Sequence, residues 1–129
     1  HPVCAAVALE NIRILQDERI VETVQRDTGP YLAERWKQLG EHKLVGEARI
    51  AGMVGALELV PNKAERRFFE ERGKVGGLCR NIALKNGLIL RATNDAMLLS
   101  PTLVISRIEI DELFEKAWKS LNETADALA

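Results

Sequence analysis

The run from Asn86 to Ser100 (Asn-Gly-Leu-Ile-Leu-Arg-Ala-Thr-Asn-Asp-Ala-Met-Leu-Leu-Ser) narrows the fold more than any other part of the chain. Asn86-Gly87 is a helix stop, because glycine takes the left-handed backbone that ends a helix without a steric penalty. Leu88 to Thr93 then reads as a strand, Asn94-Asp95 as a tight turn and Ala96 to Ser100 as the returning strand. A turn at that place pairs Thr93 with Ala96 and Arg91 with Leu98. Leu88, Leu90 and Ala92 then share one face with Met97 and Leu99, while Ile89, Arg91 and Thr93 look the other way. One face suits a core and the other carries an arginine.

The rest of the chain supplies the layer that such a sheet packs on. Ala5, Ala8, Leu9, Ile12 and Leu15 recur at helical spacing until Gln16-Asp17-Glu18-Arg19 interrupts them. A second stripe runs through Val21, Val24, Thr28, Leu32, Trp36 and Leu39 and keeps its phase across Gly29-Pro30, which predicts one kinked helix ended by Gly40. Residues 44–60 change texture. Their β-branched and aliphatic residues, set among Gly46, Gly52 and Gly55, predict two short strands turning near Gly52. Residues 62–72 form a charge-dense excursion that Phe68-Phe69 would pin to the body. Val75, Leu78, Cys79, Ile82 and Ala83 mark a third helix, and Ser106 with Glu109 is the S-x-x-E capping box of a last one. Helix, strand pair, helix, strand pair, helix is an α+β order, with helices on one face of a small antiparallel sheet.

Composition excludes several functions. The 129 residues suffice for one core, and 18 Lys+Arg against 19 Asp+Glu leave no basic footprint for nucleic acid. No apolar run approaches a membrane span, and no signal-peptide pattern opens the chain. Cys4 and Cys79 are too far apart for a C-x-x-C pair and read as buried, inert thiols of a reduced, cytoplasmic protein. The chain begins His1-Pro2-Val3-Cys4 without methionine, which suggests a piece of something longer.

Few residues carry chemistry. His1 and His42 are the only histidines; neither makes a metal site, and His1 beside Cys4 lacks the orienting third group of a nucleophilic dyad. Gly73-Lys74-Val75-Gly76-Gly77 opens a helix that could hold an anion on its amides, but it matches neither phosphate-binding glycine motif. Close packing explains those glycines at least as well. Glu70-Glu71, and Glu22 with Arg26, look like solvated charge. By spacing alone Arg91 is either a solvated charge or a guanidinium fork set to grip a carboxylate.

An ordered set of blocks resembles the class III aminotransferases, the omega-transaminase-like group that uses pyridoxal phosphate. His1 to Ile12 is similar to the stretch entering that family's C-terminal part. Val45-Gly46-Glu47-Ala48-Arg49 with Gly55-Ala56-Leu57-Glu58-Leu59 resembles its first strand pair. Asn86 to Arg91 followed by Leu99-Ser100-Pro101 resembles the second, and Ile108 to Leu113 the closing helix. The likeness runs through essentially all 129 residues.

The resemblance implies the C-terminal small domain of a fold-type I pyridoxal-phosphate-dependent transferase. Residues 1–16 would be a long inter-domain helix from the end of the large domain, and residues 17–129 the small domain. It implies an amino donor, a keto-acid acceptor and a homodimer, with neither membrane nor nucleic acid as partner. The family's Schiff-base lysine, the acidic partner of the pyridine nitrogen and most phosphate contacts lie upstream, so no catalytic or cofactor-binding residue is expected here. Lys37, Lys43, Lys63, Lys74, Lys85, Lys116 and Lys119 all occupy polar contexts that suit no such role. One functional residue carries over: Arg91 matches the mobile arginine that binds the substrate α-carboxylate and swings aside for an uncharged amine. Thr102, where many members have a second proline, and Asn94, in a turn that often carries glycine, depart from the pattern. The alternative is a free-standing α+β small-ligand-binding or regulatory module.

Overall fold

The computed structural model describes residues 1–65 and 67–129; Arg66, within the charge-dense excursion, lies outside the described residues. The chain opens with helix α1, Pro2–Asp17, whose first turn is capped by the His1 ring accepting from the Val3 amide. No residue of α1 is buried, so its apolar stripe faces outward. Val3, Val7 and Leu9 are each more than 60% exposed. Cys4 is exposed with them, which corrects the expectation of a buried thiol there. The polar break ends α1, and Arg19 turns the chain through a left-handed backbone (φ 53°).

The stripe across Gly29-Pro30 is one continuous helical path. It runs as α2 (Ile20–Thr23), a π-helical turn (Val24–Thr28) and α3 (Gly29–Gln38). Pro30 has no N–H for the usual bond four residues back. The wider turn absorbs that loss: the Gly29 amide reaches back to Val24 O, and a Cβ at Gly29 would stand 2.4 Å from that oxygen. Gly40 is not the left-handed terminator expected from its position. It sits inside a 3₁₀ turn, Leu39–Glu41, and is absent from the glycines with positive φ (Gly52, Gly73 and Gly87). Its lack of a side chain serves packing instead, since a Cβ there would meet Ala48 Cβ at 3.3 Å.

β1 (Val45–Ala51) and β2 (Val54–Leu59) turn at Gly52, φ 57°. Helix α4 (Lys74–Lys85) crosses over to β3 (Arg91–Thr93) and β4 (Ala96–Leu99), and α5 (Arg107–Ala127) closes the chain behind an intact Ser106–Glu109 capping box. The four strands lie in the order β1-β2-β4-β3, every neighbour antiparallel. Helices α3, α4 and α5 cover one face. Leu57, Leu59, Met97 and Leu99 point from the sheet into that layer, against Leu32, Trp36, Cys79, Ile110 and Leu121. Gly55 lets the Trp36 indole lie on β2 and donate to Arg49 O at 3.0 Å.

The third helix stops at Asn86-Gly87 in a Schellman arrangement: Gly87 N–H bonds Leu84 O, Leu88 N–H bonds Ala83 O, and Gly87 has φ 74°. This shortens the expected strand. Leu88 to Leu90 lie outside the ladder, and the Leu88 amide is taken by the helix cap. Phe69 packs on the core as expected, whereas Phe68 remains exposed with Arg72 over its ring. No helix among the described residues is long and apolar enough to cross a membrane.

Candidate functional site

The face of the sheet turned away from the helices holds the chemistry. The register sets Arg91 opposite Leu98, Leu98 opposite Ala56 and Ala56 opposite Arg49, so these four form one row across all four strands. Thr93, Ala96, Glu58 and Glu47 form the next. The two arginines at the ends of the first row differ. Arg49 is held by Glu47 at 2.6 Å and Glu58 at 3.4 Å. Arg91, on the edge strand, is exposed and belongs to none of the ion pairs among the described residues. Its neighbour Ile89 is 83% exposed, and Leu98 beside it is half-buried. A planar five-donor fork standing free among apolar neighbours can take a carboxylate through two parallel hydrogen bonds.

The hairpin that carries Arg91 is tied down by a residue the sequence did not single out. Asp95, 3% exposed, accepts from Gly73 N with one carboxylate oxygen and from Gly76 N with the other, both at 2.9 Å. Its backbone oxygen accepts from Leu59 N, also at 2.9 Å. The glycine-rich start of α4 is therefore filled from within: its free amides and the positive end of its dipole already hold a carboxylate. The glycines are there for contact. A Cβ on Gly76 would fall 2.0 Å from Asn94 O.

The other candidates are structural. His42 is buried, its Nδ1 accepting from Leu44 N and its Nε2 lying 3.2 Å from Asn122 Oδ1, edge-on to Trp118. Nδ1 must be unprotonated to accept, and burial holds the pKa of the ring below its ordinary value. The Cys79 thiol is buried and pushed up by desolvation, which leaves it a poor nucleophile. No cluster of metal-ligating side chains occurs among the described residues. A groove lined by Gly46, Glu47, Glu58, Val60, Lys63 and Phe68 lies over the first strand pair, away from Arg91, and its two carboxylates are those already held by Arg49.

Comparison with known proteins fits this geometry. A sequence profile of the family described as aminotransferase class-III matches residues 1–121. The chain is 57% identical over 128 residues to the putrescine–pyruvate aminotransferase of Pseudomonas aeruginosa, covering 99% of this chain and 28% of that protein. It is 36% identical to gamma aminobutyrate transaminase 1 of Solanum lycopersicum over 96% of its length and 24% of the relative's. Among solved structures, a transaminase with L-ala superposes with a TM-score of 0.94 at 34% identity, over 100% of this chain and 30% of that one. A thermostable omega transaminase from Pseudomonas jessenii gives 0.90 at 33%, over 96% and 27%. The chain thus spans 24–30% of the length of these relatives.

Proposed function

The chain belongs to the class III aminotransferases, and from that premise we propose that it is the C-terminal small-domain portion of a pyridoxal-phosphate-dependent enzyme moving an amino group from an amine or amino acid to a keto acid. The identity to a putrescine–pyruvate enzyme supports a diamine as donor and pyruvate as acceptor. Residues 1–16 are the helix leaving the large domain and residues 17–129 the small domain; the absence of any buried residue in α1 supports that division. The working unit is a homodimer in the cytoplasm.

The described residues do not fit a pyridoxal phosphate pocket. A lysine that forms an imine needs a desolvated site or a neighbouring cation to lower its pKa. Of the seven lysines here, six are exposed and Lys116 is half-buried; Lys74, Lys116 and Lys119 are paired with glutamates. This supports covalent and phosphate contacts made from outside this chain, and no chemical step is assigned to these residues. Their part is to bind and orient. Arg91 receives the carboxylate of the keto acid or amino acid and fixes which way its carbonyl carbon faces, a contribution to positioning.

One observation carries this reading: Arg91 is exposed and unpaired among the described residues on the open sheet face. Arg91→Ala in the full-length holoenzyme is the test. A charge-assisted bidentate contact is worth about 2–3 kcal/mol, so kcat/KM for pyruvate falls by about 30–150-fold. The half-reaction with a monoamine that has no carboxylate falls by less than about threefold. Equal losses on both substrates refute the carboxylate role.

A further inference from the structure

β3 offers Arg91 little support of its own. It is three residues long, lies at the sheet edge and pairs only with β4. Its upstream end is fixed by the cap of α4 at Gly87-Leu88, and its downstream end by the Asn94-Asp95 turn. That turn is held by one buried side chain. The two carboxylate oxygens of Asp95 take two amides of the α4 start, which have no partner within the helix, and its backbone oxygen takes the last amide of β2. Asp95 is the point where α4, β2 and the Arg91 hairpin meet.

We propose that Asp95 is a positioning residue for substrate carboxylates, acting through the hairpin to set where the Arg91 guanidinium stands. This rests on the carboxylate role of Arg91. Two parallel hydrogen bonds to a carboxylate tolerate only a few tenths of an ångström of displacement, so anchoring at the turn is read out at the fork. A carboxylate is required because both partners are donors. An amide of the same shape satisfies one N–H and turns its own NH₂ toward the other. The same displacement can be produced with the carboxylate intact, because any side chain at Gly76 drives into the Asn94 carbonyl.

The experiment uses the full-length holoenzyme and four variants: Asp95→Asn, Gly76→Ala, Arg91→Ala and the Arg91→Ala/Asp95→Asn pair. KM and kcat are measured with pyruvate, and single-turnover half-reactions are followed with L-alanine and with a monoamine lacking a carboxylate. Asp95→Asn raises KM for pyruvate and the half-saturating concentration of L-alanine on the order of 10-fold, and changes the monoamine half-reaction by less than about twofold. Gly76→Ala gives the same split. The pair is no worse than Arg91→Ala alone on carboxylate substrates, because both act on one contact. Equal losses on all substrates, or no loss on any, overturn the proposal, as does a pair whose losses multiply. If Arg91→Ala itself shows no preference for carboxylate substrates, the reading of Arg91 fails and this inference falls with it. If Arg91→Ala shows the preference and neither Asp95→Asn nor Gly76→Ala does, Asp95 alone is refuted.

Discussion

Gly55→Ala gives the sharpest test of how the sheet meets its helices. A Cβ at that position would stand 2.6 Å from Trp36 Cε2, 2.7 Å from Nε1 and 3.1 Å from Cδ2. Neither side can yield easily. β2 is a central strand, with Gly55 paired to Ile50 on one side and Leu99 on the other, and the ring is 1% exposed. The indole must therefore move, breaking its bond to Arg49 O. Overpacking of a rigid core group is worth about 1–3 kcal/mol and the lost hydrogen bond about 1 kcal/mol. The variant is therefore about 2–4 kcal/mol less stable. At a urea slope of about 2 kcal/mol/M the midpoint falls by about 1–2 M, read by the fluorescence of Trp36 and Trp118. In a Trp36→Leu background the same glycine substitution costs less than about 1 kcal/mol, because the obstructing ring is gone. A loss below about 0.5 kcal/mol in the wild-type background, or an undiminished loss without the ring, refutes the packing argument.

Two further outcomes follow from single residues. His42 has a folded-state pKa below its ordinary value of about 6.5, so the unfolded chain binds the proton more readily. Stability from this residue is complete above about pH 6.5 and declines as pH falls from there toward the lower folded value; urea midpoints between pH 7.5 and 5 show the decline, and His42→Gln removes it. If the slope survives that substitution, burial of the neutral ring is not its source. Ser106→Ala deletes the hydroxyl that accepts from Glu109 N and donates to Glu109 Oε2, at a cost of about 1 kcal/mol. The Glu109 carboxyl, held low by bonds from Ser106, also titrates closer to its ordinary range, which NMR titration resolves.

The parts legible in the sequence were those fixed by neighbours along the chain. Thr93–Ala96 and Arg91–Leu98 pairing followed from a tight turn and a two-residue period, and the register is as expected. The capping box of α5 is likewise local. What escaped depends on approaches between distant residues. Gly40 looks like a terminator until Ala48 is brought beside it, and the strand expected from Leu88 begins only at Arg91, with the Leu88 amide spent on the helix cap. Asp95 read as an ordinary turn residue. Its signal was present but split, as an acid in the turn and glycines at 73 and 76, which only make sense once helix start and hairpin touch. Arg91 could be placed on the open face from periodicity, but the carboxylate role proposed for it needed the resemblance.

Helix α1 has a consequence for how this chain unfolds. A helix of 16 residues in which none is buried and only Leu15 is half-covered is marginal in water, with little beyond propensity to hold it. Its melting exposes almost no new surface, so the denaturant slope and heat capacity change of the chain are set by residues 20–127. α1 frays as a separate cooperative unit at low free energy. Far-ultraviolet circular dichroism would register that loss before any change in tryptophan emission, since both indoles lie in the other unit. Whatever partner surface covers the stripe through Leu9 and Ile12 therefore does more than dock there: it joins the two units into one transition.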